Sequence, residues 1–246
     1  MKRLMDILAS FFGLLLTSPI LLTFMFLVWR QDGHSPFYIA PRMGKNEMPF
    51  RMVKLRSMVK NADRSGVDST AADDMRITRV GHLIRKFKLD ELTQLLNVLK
   101  GDMSLVGPRP NVQRETDLYT DAEKKLLSAR PGITDFSSIV FSDEGDILEG
   151  QEDPDIAYNQ LIRPGKSRLG LFYIEHRSLM VDIQLIWFTV LAILSRDKAL
   201  RSVSALLARA GAEDALVELA KRQAPLVATP PPGAKNIVTN REGRVD

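Results

Sequence analysis

The chain has 246 residues, 45% of them hydrophobic, no cysteine and a formal net charge of +4. This length allows one large domain with appendages, and the missing cysteine excludes disulfide bonds, thiolate catalysis and cysteine-ligated metals. The mild positive charge fits acidic lipids, nucleic acid or phosphorylated substrates equally, so charge alone does not choose among them.

The first element along the chain is an apolar segment, residues 7–29, which is long enough to span a bilayer. Lys2 and Arg3 precede the segment and Arg30 follows it. Positive residues are expected on the cytoplasmic side of a membrane, and here both ends carry them. A straight crossing therefore has no clear orientation.

Ser18 and Pro19 lie near the centre of this apolar segment. Proline lacks an N–H group and its ring collides with the carbonyl group of Leu15, which kinks a helix. A serine or threonine hydroxyl can bond the freed carbonyl group within lipid. We therefore predict a re-entrant hairpin helix over residues 1–30, broken at Ser18 and Pro19. A kinked transmembrane helix is the alternative.

The remaining chain predicts a mainly α fold with a small β-hairpin (α+β). Residues 37–39 and 50–55 alternate well enough to be short strands around a loop at 41–49. From Arg76, apolar residues recur at helical spacing with basic residues between them, as in amphipathic helices that lie in a membrane interface. A plain surface helix with a solvated basic face is the alternative.

Later segments complete the predicted organisation. Residues 179–194 are apolar nearly all round, which is typical of a buried or lipid-facing helix, whereas 135–163 is predicted to be an acidic loop. The predicted units are a membrane hairpin at 1–30, a catalytic domain on the cytoplasmic face at 31–200, a C-terminal helix at 201–223 and a disordered tail at 224–246.

Asp90 and Glu91 form an acidic pair where a helical pattern begins. Backbone N–H groups at the start of a helix favour an ionised carboxylate, and an ionised aspartate can attack phosphorus to form an aspartyl-phosphate intermediate. The alternative is that the two acids only cap the helix.

Two arginines favour the catalytic interpretation. Arg85 lies five residues before Asp90, and Arg109 is held between two prolines in a Gly-Pro-Arg-Pro sequence. Arginine is permanently charged and binds phosphate oxygens through paired N–H groups, and phosphoryl transfer depends mainly on positioning and charge stabilisation. Lys54 and Arg56 would add positive charge if folding brings them near. The set predicts an enzyme that acts on phosphate esters at a membrane surface.

Five longer motifs follow one another in order. They are KLRSM at 54–58, RITRVG at 76–81, LDELTQL at 89–95, GDMSLVGPRP at 101–110 and RPGIT at 130–134. Over residues 1–195 the chain thereby resembles the bacterial sugar transferases, which are monotopic polyprenol-phosphate phosphoglycosyl transferases. Residues 135–138 and the acidic stretch 143–155 depart from the family's pattern, which leaves the sugar undefined.

The resemblance implies an enzyme that moves a sugar-1-phosphate from a UDP-sugar to undecaprenyl phosphate and releases UMP, with Mg²⁺ required. It implies that Asp90 is the nucleophile of a covalent phosphosugar intermediate. Glu91 would assist proton handling or metal positioning, so the metal would lie at Asp90 and Glu91. Lys54, Arg85 and Arg109 would bind phosphate. Ser18 and Pro19 fall where the family breaks its membrane helix.

The resemblance also implies a setting for this reaction. The site would lie on the cytoplasmic face of the bacterial inner membrane, at the first membrane step of glycan synthesis. Expected partners are membrane lipid, the two substrates, a second copy of the chain and downstream glycosyltransferases. The alternative is a catalytically silent membrane-anchored scaffold that binds acidic lipid or a partner glycosyltransferase. Nucleic acid is not expected, because no aromatic stacking platform accompanies the basic residues.

Overall fold

A 31-residue helix, α1 (Lys2–Asp32), begins the computed structural model, which describes residues 1–62, 70–71 and 73–240. Within that part of the chain, α1 is the one helix long and apolar enough to cross a membrane. Most of its apolar side chains are exposed rather than packed inside the protein. This exposure suits an environment of lipid rather than water.

The helix continues through Ser18 and Pro19 instead of stopping there, so the predicted break is not present in its backbone. The carbonyl group of Leu15 lacks an N–H partner because residue 19 is proline. It accepts a hydrogen bond from Ser18 Oγ at 2.8 Å. The predicted rescue of this carbonyl group by a hydroxyl is confirmed, and it explains how the helix tolerates a proline.

The N-terminal end of α1 is attached to the folded body by buried charges. Lys2 Nζ lies 2.5 Å from Asp182 Oδ2. The Asp6 carboxylate accepts hydrogen bonds from Ser104 Oγ at 2.9 Å and from the Leu105 N–H group at 3.1 Å. Both carboxylates are only 1% exposed. Buried charges of this kind are stable only when paired and hydrogen-bonded, so this end of α1 is firmly placed.

The C-terminal end of α1 is attached to the same body. Asp32 accepts two hydrogen bonds from the Arg56 guanidinium, at 2.6 and 2.7 Å. One turn earlier, Val28 packs in a buried cluster with Leu55 and Ile84. A straight crossing would carry the two ends to opposite sides of a membrane, whereas here one folded unit holds both. The arrangement favours a re-entrant helix.

Two strands form the predicted β-hairpin. Strand β1 (Phe37–Met43) pairs antiparallel with β2 (Pro49–Leu55), from Phe37 opposite Leu55 to Met43 opposite Pro49. A short 3₁₀ turn, Lys45–Glu47, connects them. The hairpin is confirmed, and its first strand is longer than predicted because Ala40–Met43 also pair with β2.

Three short helices follow, α2 (Arg79–Lys86), α3 (Leu89–Leu92) and α4 (Leu95–Lys100). The Thr78 hydroxyl caps α2 by accepting from the Gly81 N–H group at 2.9 Å. A turn at Thr93 and Gln94 separates α3 from α4, so the helical pattern that begins at the acidic pair is interrupted there. Strand β3 (Ser104–Val106) then pairs in parallel with β4 (Gly132–Thr134). Strands of three residues carry too little pattern to be predicted.

The rest of the described chain is helical. Its α-helices are α5 (Gln113–Thr116), α6 (Asp121–Lys124), α7 (Phe136–Val140), α8 (Glu144–Leu148), α9 (Pro154–Ala157), α10 (Arg163–His176), α11 (Leu179–Leu194), α12 (Arg196–Arg209) and α13 (Asp214–Lys221). A 3₁₀ turn, Lys125–Ser128, follows α6, and a π-helical turn, Tyr158–Ile162, joins α9 to α10. Helices α7 and α10 to α12 pack around the main core, which includes Phe136, Leu169, Tyr173, Leu185 and Leu207.

The prediction of an acidic loop at 135–163 is wrong, because three α-helices and the π-helical turn occupy it. Its aspartates act as helix caps. Asp135 accepts from the Ser138 N–H group at 2.7 Å, and Asp153 from the Asp155 N–H group at 3.0 Å. Aspartate is common both in loops and at helix N-caps, so an acidic composition does not distinguish a loop from a series of short helices. The predicted helix at 201–223 is also two helices, α12 and α13.

The C-terminal tail is a further correction. Residues 224–240 contain no helix or strand, yet they lie against the body. Gln160 Nε2 donates to the Val238 carbonyl group at 2.6 Å, and Arg168 donates to that of Pro230 at 2.9 Å. Val238 is completely buried. The predicted disorder therefore does not hold for 224–240, and residues 241–246 lie outside the described chain.

The attachment of both ends of α1 predicts a topology that single cysteines can test, since the chain has no cysteine of its own. One variant carries a cysteine in a short N-terminal extension, and the other is His34→Cys, just after α1. In sealed inverted vesicles, we expect a membrane-impermeant maleimide to label both. Labelling of one variant only after the vesicles are opened would show that α1 crosses the membrane.

Candidate active site

Asp90 lies in the first turn of α3, opposite the end of β2. Its Oδ2 atom is 3.4 Å from Lys54 Nζ, which confirms that folding brings Lys54 to the acidic pair. Burial lowers the pKa of Lys54, as does the nearby positive charge of Arg109, whereas the Asp90 carboxylate opposes both effects. Lys54 is therefore a cation that gains stability when negative charge enters the site.

Thr93, in the turn between α3 and α4, and Asn97, in α4, place β2 beside Asp90. Asn97 Oδ1 accepts from the Val53 N–H group at 2.9 Å, and Asn97 Nδ2 donates to the Arg51 carbonyl group at 2.7 Å. Thr93 Oγ1 donates to the Val53 carbonyl group at 3.0 Å. These bonds fix the strand that carries Lys54, and sequence analysis had given neither Thr93 nor Asn97 a role.

Glu91 is paired with Arg109. Arg109 Nη1 lies 3.1 Å from Glu91 Oε1. Burial alone would raise the pKa of Glu91, but the positive charges of Arg109, Lys88 and Lys54 outweigh it and lower the pKa. The same carboxylate raises the pKa of Arg109 against the effect of burial. Glu91 is thus held ionised beside a fixed cation.

Two glycines position the loop that carries Arg109. The Gly107 N–H group donates to the Thr134 carbonyl group and the Gly132 N–H group to that of Pro108, both at 3.0 Å. A Cβ atom on Gly132 would lie 2.1 Å from the Gly107 nitrogen, and one on Gly107 would lie 2.3 Å from the Arg130 carbonyl oxygen. Only glycine permits this close approach, which explains why GDMSLVGPRP and RPGIT occur together.

Lys54 and Arg109 line a polar cavity of about 110 Å³ that contains several groups absent from the sequence prediction. They are the cations Arg42 and Lys166, the carboxylates Glu115 and Glu144, and Tyr158 and Gln94. The pairing of the two predicted strands is the one feature of the sequence from which a role for Arg42 in this site could have been predicted. Residues two apart on a strand share a face, so Arg42 and Lys54 both project from the face that includes Ala40 opposite Met52.

Glu144 and Lys166 form an ion pair on the far wall of this cavity. Burial would raise the pKa of Glu144, but the charges of Lys166 and Arg109 lower it. Burial raises the pKa of Glu115. Glu144 belongs to the stretch that departs from the family's pattern, so no motif pointed to it.

Gln94 contributes a buried amide to the same cavity. The residue is 2% exposed, and its Nε2 atom has no hydrogen-bond partner among the described residues. An unpaired buried donor costs about 1–3 kcal/mol, so such a group usually serves a ligand or a bound water. The turn between α3 and α4 places this amide at the cavity, next to the acidic pair in sequence.

Arg56 is in a different place from the one predicted. Its guanidinium is buried against Asp32, and its Nε atom donates to the Ser35 carbonyl group at 2.9 Å. Arg56 therefore attaches the hairpin to α1, and the prediction that it binds substrate is wrong.

Arg85, in α2, lies outside the cavity lining. Its charge adds to those of Lys166 and Arg109 in lowering the pKa of Glu144 against burial.

The acidic pair fits a divalent cation that is shared with a substrate. Among residues 1–62, 70–71 and 73–240, no group of three acidic or histidine side chains could hold a metal by itself. Asp90 and Glu91 each keep one carboxylate oxygen outside the ion pairs with Lys54 and Arg109. Magnesium commonly takes one or two carboxylates and completes its shell with water and phosphate oxygens.

Comparison with known proteins agrees with this geometry. The sequence model of the bacterial sugar transferase family matches residues 1–196. Exopolysaccharide production protein ExoY of Sinorhizobium fredii is 36% identical over 207 residues, which cover 78% of this chain and 84% of that protein.

Two relatives are named as phosphotransferases. The UDP-N-acetylgalactosamine-undecaprenyl-phosphate N-acetylgalactosaminephosphotransferase of Aeromonas hydrophila is 35% identical over 198 residues, covering 79% of this chain and 44% of that protein. The undecaprenyl-phosphate galactose phosphotransferase of Salmonella typhimurium is 35% identical over 214 residues, covering 81% and 41%. The chain thus spans less than half the length of these two relatives. It belongs to the bacterial sugar transferase family and is an enzyme of the phosphotransferase type.

Proposed function

We propose that this enzyme transfers a sugar-1-phosphate from a UDP-sugar to undecaprenyl phosphate, through a covalent intermediate on Asp90. The observation that carries the proposal is the pairing of Asp90 with Lys54 and of Glu91 with Arg109 beside one cation-lined cavity. The names of two relatives contain undecaprenyl phosphate, and one of them also contains a UDP-sugar, which supports both proposed substrates. A silent scaffold would have no use for an acidic pair held by two cations beside a cavity that two further cations line.

In the first step, an Asp90 carboxylate oxygen attacks the phosphorus atom that carries the sugar. A bond forms between Asp90 and phosphorus, and the bond from phosphorus to the oxygen that bridges the two phosphates breaks. UMP leaves with that oxygen and its electron pair. Lys54 and Arg109 offset the negative charge that the phosphates bring in and that builds up on the leaving group.

In the second step, an oxygen of the lipid phosphate attacks the same phosphorus atom. The bond between Asp90 and phosphorus breaks, the diphosphate-linked lipid sugar forms, and Asp90 regains its free carboxylate. Glu91 is better suited to positioning than to carrying a proton, because its lowered pKa leaves it ionised at neutral pH. Its role in the proposal is to hold Arg109 and a metal ion in place.

The exposed apolar surface supports a membrane location for this reaction. Apolar side chains of α1 and α11 remain exposed, as do Leu83, Phe87 and Leu96 near the acidic pair. We place the site on the cytoplasmic face of the bacterial inner membrane, where UDP-sugars are available. The cysteine-labelling experiment in inverted vesicles tests this placement, since that orientation exposes the cytoplasmic face.

The nucleophile assignment predicts that Asp90→Asn abolishes turnover. We expect UMP release to fall by roughly a thousandfold or more, since a covalent step cannot proceed without its nucleophile. The assay uses purified, detergent-solubilised protein with undecaprenyl phosphate, Mg²⁺ and a panel of UDP-sugars. Asp121→Asn is the matched control, because the Asp121 side chain is 99% exposed. Substantial turnover by Asp90→Asn would refute the assignment.

The unpaired amide predicts that Gln94 contacts the UDP-sugar. Rotating this amide breaks no hydrogen bond of Nε2, so its N–H group can turn toward an acceptor that enters the cavity. Gln94→Met should raise KM for the UDP-sugar by about threefold to tenfold, as expected for one lost hydrogen bond. Its thermal unfolding midpoint should stay the same or rise, because an unpaired buried donor is removed.

The matched control for Gln94 is Ser10→Ala, which also removes a buried polar group without a partner, here a hydroxyl in α1 and away from the cavity. We expect this variant to keep the wild-type KM. A lower unfolding midpoint together with an unchanged KM in Gln94→Met would show that Gln94 serves the fold rather than the substrate.

We further propose that Asp90 and Glu91 hold Mg²⁺ together with the phosphates of the UDP-sugar, where the ion would supply positive charge to the transferred group. Because the acidic pair alone offers few ligands, Mg²⁺ should not change the unfolding midpoint of the free enzyme. It should raise the midpoint when a UDP-sugar is present, and EDTA should stop UMP release. Full turnover in EDTA would contradict the metal proposal.

A further inference from the structure

We propose that the surface between α11 and α12 binds an anionic phospholipid of the surrounding membrane. This α11–α12 surface is a shallow, open groove whose lining includes Trp187, Leu191, Lys198, Arg201, Ala205 and Arg209. The match to the family ends at residue 196, so nearly all of α12 lies beyond it. The proposal concerns a different surface from the cavity and does not depend on the reaction proposed there.

On the α11 side, Gln184, Trp187, Phe188 and Leu191 line this groove, and Trp187 also belongs to an exposed apolar stripe of α11. Met180, Ile183, Trp187, Val190 and Ile193 recur every three or four residues along the helix and remain exposed, with Trp187 at 63%. The opposite side of α11 is buried in the core through Leu185. A helix with one face in the core and an apolar outer face of this length is suited to lie in the plane of a membrane interface.

The other side of the groove is the cationic face of α12. Lys198, Arg201 and Arg209 lie on this face, and no ion pair of the described residues uses them. By contrast, Arg196 on the same helix is paired with Asp143 at 2.8 Å. Asp197 is the single acidic residue of α12, and it does not line the groove.

Small side chains separate these cations. Ala205 and Ala208 form part of the groove lining between Arg201 and Arg209. They leave room for an incoming group to approach the helix closely. Trp187 faces the groove from α11, and tryptophan prefers the boundary between lipid headgroups and acyl chains. The groove thus combines an apolar wall, a shallow base of small residues and a cationic rim.

This combination identifies the class of ligand. A soluble anion would gain nothing from the apolar side chains of Trp187 and Leu191, and an uncharged lipid would gain nothing from the three cations. A ligand with an anionic headgroup and acyl chains meets both requirements at once. Each lysine or arginine near an anionic membrane surface contributes on the order of 1 kcal/mol of binding free energy. Two of them correspond to a preference of about tenfold or more for an anionic lipid.

Trp187 can report on this groove directly, because the chain has two tryptophans and Trp29→Phe removes the other. The full chain carrying Trp29→Phe is reconstituted in nanodiscs of phosphatidylcholine that contain increasing amounts of brominated phosphatidylglycerol or brominated phosphatidylcholine. Brominated acyl chains quench tryptophan fluorescence on contact. We expect brominated phosphatidylglycerol to quench Trp187 at a mole fraction about tenfold lower than brominated phosphatidylcholine.

A pair of matched variants tests the cations. Lys198→Gln/Arg201→Gln keeps Arg209 and should remove most of the preference for phosphatidylglycerol while leaving quenching by phosphatidylcholine unchanged. Lys124→Gln/Lys125→Gln removes the same charge from exposed positions in α6 and the turn after it, and should keep the preference. Equal quenching by the two lipids in the unsubstituted groove would overturn the proposal. Absence of quenching by either lipid would also overturn it, since the groove would then be covered by protein, such as a second copy of the chain.

Discussion

Attachment of a long apolar helix to one polar body at both ends is the constraint on which the rest of the structure depends. Lys2 and Asp6 attach the start of α1, and Asp32 attaches its end. Between them α1 lies along α2, α3 and α4, with Gly13 close enough to Leu95 that a Cβ atom would be 3.3 Å away. The acidic pair in α3 is therefore held directly against the helix that we place in lipid. A lipid phosphate at the membrane surface and a soluble sugar nucleotide can then meet at one aspartate.

Charge balance is the second principle of the site. Arg42, Lys54, Arg109 and Lys166 line the cavity, and four carboxylates face them, those of Asp90, Glu91, Glu115 and Glu144. Each of these carboxylates therefore has cations near it before substrate arrives. A diphosphate that enters adds negative charge to a half-buried site, which is costly unless cations accompany it. The raised pKa of Glu115, caused by burial, lessens that cost, and a divalent cation between the phosphates and the acidic pair would offset it further.

The predictable parts of the structure are those in which neighbouring residues carry their own signal. Alternating side chains revealed the hairpin, the apolar run at 179–194 revealed α11, and the Ser18 hydroxyl was expected to bond the carbonyl group that Pro19 leaves free. The part of the site that could be predicted lies within the motifs, which contain Lys54, Asp90, Glu91 and Arg109. The family match confirms the resemblance that these motifs carried, and the roles of the individual residues stay predictions.

The unpredictable parts depend on partners that are distant in sequence. Glu144 and Lys166 form an ion pair on one wall of the cavity, and Gln160 binds a carbonyl group 78 residues away in the tail. Composition made the tail look disordered, because its few apolar residues gave no indication that Val238 is buried. Arg56 has the same charge as Lys54, but it lies just after the end of β2 and pairs with Asp32. Charge alone could not separate a substrate ligand from a structural ion pair.

The central claim is that the sugar phosphate is attached to Asp90 before it reaches the lipid. Intact-mass spectrometry of the enzyme after incubation with a UDP-sugar and Mg²⁺, but without undecaprenyl phosphate, tests this most directly. The account predicts a mass increase equal to one sugar phosphate, mapped by peptide analysis to Asp90 and discharged when undecaprenyl phosphate is added. An unmodified enzyme that releases UMP only when the lipid is present would contradict it, since transfer would then be direct.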